Sequence, residues 1–298
     1  MMIITKSIMN RKQAAAAVAA LILAVTALHA QNEADFTVET TANGEGVIIT
    51  KYTGATAAVH IPETIQNLPV REIGDRAFYH NYTITSVVIP PEVTKIGGSA
   101  FSSSWSRNKL RLALVTIPEG VTEIGPMAFA HTSLTAITLP ESLTTLGVLA
   151  FAHTDIMAVT IPAGITHFLR DAEGKSNGAF YGCAKLRTVT AREGVKEIPG
   201  SMFAVCTALT TVSLPEGLET IGESAFNSCI ALTTVTLPAS IKRIDRRAFA
   251  NCTALTTVII PDSVGTIHFD NDGEFAGCSR LTPASHEALK KRGYTGGF

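Results

Sequence analysis

The residues of this chain best able to do chemistry are five cysteines and three histidines, and all eight stand at fixed offsets from a recurring phenylalanine. Cys183, Cys206, Cys229, Cys252 and Cys278 each follow it by three residues, at Phe180, Phe203, Phe226, Phe249 and Phe275. Thiols can pair as disulfides, act as nucleophiles, or hold zinc as thiolates. The placement argues against a zinc site. The five share one position on successive repeats, no Cys-x-x-Cys pair is present, and a line of ligands does not make a tetrahedron. Their odd number also fits poorly with paired bridges. The reading that fits is a column of buried thiols acting as small hydrophobes.

His80, His131 and His153 each follow the phenylalanine by two residues. The consecutive segments AFAHTSLTAITLP and AFAHTDIMAVTIP set His131 and His153 one repeat apart, where two imidazoles could share a transition metal. The plainer reading is that each replaces Asn or Cys in a turn shortened by one residue and hydrogen-bonds its backbone. His167-Phe168 and His268-Phe269 share a second register, and Asp270-Asn271-Asp272-Gly273-Glu274 follows the latter. That run lacks the ligand spacing of a calcium loop and reads as a solvated acidic turn. No G-x-S-x-G, H-E-x-x-H, phosphate loop or G-x-G-x-x-G is present. The expectation is a protein that is not an enzyme and carries no cofactor and no metal.

The element that positions all these residues is a repeat. Its phenylalanines lie at 78, 101, 129, 151, 180, 203, 226, 249 and 275, spaced by 23, 28, 22, 29, 23, 23, 23 and 26 residues. Periods of about 20–29 residues with a leucine ladder mark a solenoid. In Leu232–Pro238, LTTVTLP, the spacing L-x-x-V-x-L predicts a strand with Val235 and Leu237 inward and Thr236 outward, ended by Pro238. Gly74, Gly97, Gly125, Gly147 and Gly222 follow an inward isoleucine or leucine, and a tight turn of positive φ is expected there. The fold class expected is a β-rich leucine-rich-repeat solenoid, with a parallel strand ladder on one face, short turns and extended segments on the other, and capped ends. Residues 57–282 form its nine units. Residues 31–56, with β-branched residues alternating around Asn43-Gly44, predict a hairpin cap. Residues 283–298 predict a helical cap, started by Ser285 and stopped by Gly293.

Residues 1–30 read differently. Arg11 and Lys12 precede an apolar run from Ala14 to Leu28, and the segment closes on Ala30. The run is shorter than the roughly 17–25 residues that span a bilayer, so a cleaved export signal is expected, cut after Ala27 or Ala30. Its removal shifts the formal charge from −1 to −4. The remaining chain has no basic footprint for nucleic acid and no second stretch of membrane-spanning length.

The units IGxxAFxxCxxLxxVxLPxxL, the leader DFTVETTANGEGVIITKYTG and the tail ALKKRGYTGGF resemble bacterial BspA-type leucine-rich-repeat proteins, most of all the treponemal branch with 23-residue repeats. The resemblance covers residues 35–298. It implies an exported protein of the cell surface, the periplasm or the medium, and relatives that include adhesins. It brings no catalytic motif. Ala191-Arg192 replaces the usual Leu-Pro, and Pro199 the usual glycine.

The surface left for recognition is the strand face. Its outward residues run His60, Val88, Thr116, Thr138, Thr160, Thr190, Ser213, Thr236 and Ile259, with Thr211 and Thr234 beside them. This predicts a flat, uncharged, threonine-rich floor, although β-branched threonine also simply suits a half-exposed strand. Insertions after Phe101, Pro162 and Pro261 add loops, the first carrying Trp105, the only tryptophan. The binding residues expected are Thr138, Thr160, Thr190, Thr211, Ser213, Thr234, Thr236 and Trp105. Their partner would be an extracellular protein or glycan, with adhesion as the specific role. The rival expectation is a self-associating periplasmic or envelope scaffold without an external ligand. The oligomeric state is left open.

Overall fold

A computed structural model describes residues 31–103, 109–169, 178–270 and 272–298. The apolar leader and Trp105 therefore lie outside the described residues. The chain begins with an antiparallel hairpin, Phe36–Thr40 against Val47–Tyr52, joined by the turn around Gly44. The register shifts at Thr37/Val38, leaving Thr50 of the inner strand unpaired, and the exposed Glu39 makes the outer strand a poor template for edge pairing. Val47–Tyr52 then pairs in parallel with Leu68–Ile73, and the coils follow. They are numbered 1 to 9 by their phenylalanines, Phe78 to Phe275.

Each coil offers two extended segments, and both form ladders. The longer segments pair as Ala58–His60 with Ser86–Val88 and Leu114–Thr116, then Ala158–Ile161 with Thr188–Ala191 and Thr211–Ser213, then Thr234–Thr236 with Thr257–Ile259. The shorter ones, expected only as extended segments, also hydrogen-bond in register. Ile73, Ile96, Ile124, Leu146 and Phe168 align in one run, and Ile198, Ile221, Ile244 and Phe269 in another. The two faces break at different places: the first ladder at coil 3 and between coils 6 and 7, the second between coils 4 and 5. Hence no coil boundary is open on both faces.

Between the faces run the phenylalanines, each at most 2% exposed. From Phe101 to Phe275 their rings stack at 5.1–5.7 Å with interplanar angles of 4–17°. Burying each ring contributes about 1.5–3 kcal/mol, and each ring pair adds about 0.5–1.5. The stack is closed at one end by Tyr52 and Phe36, and at the other by Tyr294, which meets Phe275 edge-on at 80°. The cysteine column lies beside it, buried and without disulfides. Each thiol reaches the phenylalanine carbonyl of the preceding coil at 3.1–3.3 Å. Burial pushes Cys183 up to about 11 and Cys229 to about 12, so these sulfurs are neutral thiols rather than nucleophiles. Thr132 and Thr154, equally buried, continue the column through coils 3 and 4.

The glycine expectation fails. None of Gly74, Gly97, Gly125, Gly147 or Gly222 has positive φ. They are needed because adjacent coils touch there: a Cβ on Gly125 would sit 2.7 Å from the Gly98 nitrogen, and one on Gly147 2.3 Å from the Gly125 carbonyl carbon. The left-handed positions instead flank the phenylalanine and are mostly not glycine. Arg76, Ser99, Met127, Leu149, Ser201, Ser224 and Arg247 precede it by two, and His80, His131, His153, Val205, Ser228 and Asn251 follow it by two. Each such residue costs about 1–2 kcal/mol. The compensation is visible in coil 1, where the N–H groups of Arg76, Phe78 and His80 all turn toward coil 2 and donate to Gly98, Ala100 and Ser102.

The C-terminal helix runs Pro283–Lys291. Its N-cap is Thr282, one turn earlier than expected, with proline at the first position. Ser285 is buried, and its hydroxyl accepts from the Val258 amide, tying the helix to the last strand of the first ladder. Gly293, at φ +107°, ends the helix.

Candidate functional site

On the first ladder, valines at the strand centres turn inward and the flanking residues turn out, so each rung displays two columns. Thr160, Thr190 and Ser213 are direct neighbours in one column, and Thr188 and Thr211 in the other. Thr234 faces Thr257 and Thr236 faces Ile259 on the next pair of rungs. Adjacent rungs lie about 4.7–4.9 Å apart and alternate residues on a strand about 7 Å apart, giving a regular grid of hydroxyls and methyls.

Two kinds of threonine share this face. Thr85, Thr210 and Thr256 donate their hydroxyls to the carbonyls of Ala57, Arg187 and Thr233 on the preceding rung, at 3.1–3.2 Å. They are stitches between coils. The hydroxyls of Thr160, Thr190, Thr211, Ser213, Thr234 and Thr236 make no hydrogen bond within the described residues, and Thr211, Ser213, Thr234 and Thr236 are exposed. Their donors and acceptors are not used within the described residues.

Three positions depart from the expected floor. Thr138 is exposed, but Ala136–Thr138 forms no strand; only Thr135 bonds onward, its carbonyl accepting from Met157 at 3.2 Å. Its coil is the one with a 22-residue period, in which a turn shortened by one residue precedes the strand. The face is also not wholly uncharged, because Arg187 is exposed in the column of Thr210. Beside it Met157 is 51% exposed, and Ile259 is 47% exposed on the last rung. Met157 and Arg187 were legible by aligning the repeats column by column, since both replace the threonine before the strand.

His131 and His153 stack face to face, 4.8 Å between centroids at 25°, so their in-plane nitrogen lone pairs run side by side. No group of three or more His, Cys, Asp or Glu side chains suited to a metal occurs among the described residues. The acidic turn is engaged by arginines: Asp270 lies 3.5 Å from Arg243 and Asp272 3.3 Å from Arg246. Among the described residues no helix is long and apolar enough to cross a membrane.

Residues 52–172 and 175–287 match the sequence profile of the BspA type leucine rich repeat region, in six copies. The chain is similar to the T. pallidum leucine rich repeat protein, with 26% identity over 91% of this chain and 99% of that one, and a TM-score of 0.59. A leucine-rich repeat protein from Bacteroides ovatus shares 21% identity over 89% of this chain and 97% of its own, at a TM-score of 0.39. A leucine rich cell surface protein from Faecalibacterium prausnitzii shares 23% over 91% and 99%, at 0.32. No curated protein matches the chain.

Proposed function

From the premise that this chain belongs to the BspA-type leucine-rich-repeat family, we propose that it is an exported recognition protein, not an enzyme, that binds an extracellular protein or glycan through its hydroxyl face. The observation that carries this reading is the division of labour among the threonines. Some hydroxyls hold adjacent coils together, while Thr211, Ser213, Thr234 and Thr236 are exposed and uncommitted. A face of paired hydroxyls and methyls, with Met157 and Arg187 toward its centre, offers hydrogen bonds and apolar contact together. Adhesion to a host or neighbouring cell is the role such a surface would serve at the cell exterior.

The test is a binding screen of residues 31–298 against immobilised extracellular-matrix proteins and glycans. The comparison variant carries Thr211, Ser213, Thr234 and Thr236 changed to lysine. Saturable binding weakened at least about tenfold in a variant with an unchanged circular dichroism spectrum is the expected result; about 1.4 kcal/mol suffices for it. Binding that survives unchanged would move the site to the inserted loops. Binding to nothing, together with protection from an impermeant surface label on intact cells, would favour the internal scaffold instead.

A further inference from the structure

The exposed, uncommitted hydroxyls are not spread evenly along the first ladder. Thr211 and Ser213 stand on the last rung of one block, Thr234 and Thr236 on the first rung of the next. All four therefore flank the seam between coils 6 and 7, where ladder pairing stops. Away from it the same columns are more covered: Thr160, Thr188 and Thr190 on one side and Thr257 on the other are half-buried. Val212 at the seam is only half-buried as well, unlike the buried Val189, Val235 and Val258. The interior stays closed beneath. Phe203 and Phe226 stack at 5.6 Å, the Cys229 thiol donates to the Phe203 carbonyl at 3.3 Å, and Ile198 aligns with Ile221 on the second ladder. The seam is a break in one sheet over an unbroken core.

Two rungs and two outward columns set these four side chains at the corners of a rectangle on the order of 5 Å by 7 Å. That is the scale of one pyranose ring with the equatorial hydroxyls around its rim. Each corner offers a hydroxyl that both donates and accepts, as a sugar hydroxyl does, and the three threonines add methyl groups for the C–H face of the ring. A protein partner would find fewer anchors. The outward residues of Ala158–Ile161, Thr188–Ala191, Thr211–Ser213, Thr234–Thr236 and Thr257–Ile259 include no aromatic and no charged side chain, and Arg187 stands one column outside them. Protein hot spots rest on Trp, Tyr and Arg. An uncharged face against an uncharged sugar strips water from no ion.

We propose that the seam is the central subsite for an extended, unbranched, neutral β-1,4-linked glycan, one sugar seated among Thr211, Ser213, Thr234 and Thr236 and the chain running along the solenoid axis. The proposal rests on the recognition role given above and names its ligand class. Equatorial β-1,4 bonds make a straight ribbon that advances, per sugar, by nearly the spacing of the rungs. Successive sugars thus keep meeting successive threonine pairs, Thr188 and Thr190 before the seam and Thr257 after it. An α-1,4-linked chain coils and leaves a straight row within a few sugars. Hydrogen bonds in exposed positions contribute little singly, so affinity accumulates with the number of rungs covered.

The experiment is titration calorimetry of residues 31–298 with cellohexaose and chitohexaose, beside their disaccharides and maltohexaose. A β-1,4 hexamer should bind at least about tenfold more tightly than its disaccharide and than maltohexaose. T211V/S213A and T234V/T236V should each weaken it by about tenfold, and T210V should leave it unchanged. Raising salt to about 0.5 M should not matter, since no charge is engaged. Amide NMR shifts of the native protein keep the test open if a variant folds poorly, with residues 211–213 and 234–236 moving first as cellohexaose or chitohexaose is added. Equal binding of maltohexaose, binding untouched by both double variants, or shifts confined to other coils would overturn the subsite. Capture of a matrix protein through these hydroxyls with neither β-1,4 hexamer bound would overturn the glycan and keep the recognition role. Binding to neither kind of partner would overturn both.

Discussion

The two ladders are built from the same repeats and stack at the same spacing, yet they solve different problems. The first displays Thr188, Thr190, Thr211, Ser213, Thr234 and Thr236, with the exposed Arg187 between Met157 and Ile259. The second displays Glu72, Lys95 and Glu123 in one run and Glu197, Thr220, Arg243 and His268 in the other. Its charges are mostly paired: Lys95 with Glu123 at 3.2 Å, Lys242 with Glu219 at 2.7 Å, and Arg246 with both Glu223 and Asp272. The second ladder also carries glycines at which the backbones of adjacent coils come into contact. The lesson is that the second side spends most of its polar groups on coil-to-coil contact, whereas on the first Thr85, Thr210 and Thr256 do that work and the hydroxyls of Thr211, Ser213, Thr234 and Thr236 are left uncommitted among the described residues. A surface whose polar groups already have partners has little to offer a ligand, which is why the proposed recognition role is placed on the uncommitted hydroxyls.

The sharpest way to break this contrast is to add one methyl group to each side. Gly147→Ala places a Cβ against backbone that cannot rotate away and should cost about 1–3 kcal/mol or more, read as a lower urea midpoint with unchanged slope. Thr234→Val, on the hydroxyl face, should stay within about 0.5 kcal/mol of the native protein. Similar losses at both sites would mean that the faces do not divide the work in this way.

The repeat was legible because nine phenylalanines and the L-x-x-V-x-L spacing carry one physical demand, an inward apolar contact, in coil after coil, and five cysteines carry it in coils 5 to 9. What the residue types could not convey was interaction across coils. The glycines were misread because a single coil suggests a tight turn, whereas the constraint comes from the neighbour stacked on it. Thr210 and Thr211 look equivalent along the chain, and only the rung before them shows that one is bonded and the other is not. The Lys109–Asp155 ion pair was invisible for the same reason: its partners are 46 residues apart and skip a coil. Thr138 lies off the ladder although coil 4, whose turn is shortened by the same one residue, forms Ala158–Ile161, so nothing in the residues of coil 3 announces the loss.

An intermediate effect is expected from the ion pairs. Glu123→Gln should cost about 0.2–1 kcal/mol, the usual range for an exposed pair, and the loss should shrink in 0.5 M salt. Urea midpoints of native protein and variant at low and high salt give this directly. A variant of the hydroxyl face such as Thr236→Val should show no salt dependence of its own.

The smallest and most discriminating effect lies inside the hydroxyl face. Thr210 Oγ1 donates to the Arg187 carbonyl at 3.2 Å, while the Thr211 hydroxyl has no partner in the described residues. Thr210→Val removes an intramolecular hydrogen bond worth about 0.5–1.5 kcal/mol, toward the low end here because the residue is exposed and water can replace the lost partner. Thr211→Val keeps the strand-favouring branched shape and removes only a solvated hydroxyl, so its stability should match the native protein. Binding should respond in the opposite order: Thr211→Val weakens capture of whatever the screen identifies, and Thr210→Val leaves it nearly unchanged. Two adjacent, chemically identical substitutions would then separate cleanly, one in the urea midpoint and one in the affinity. If both fell in the same measurement, stitching and recognition would be a single property of the face.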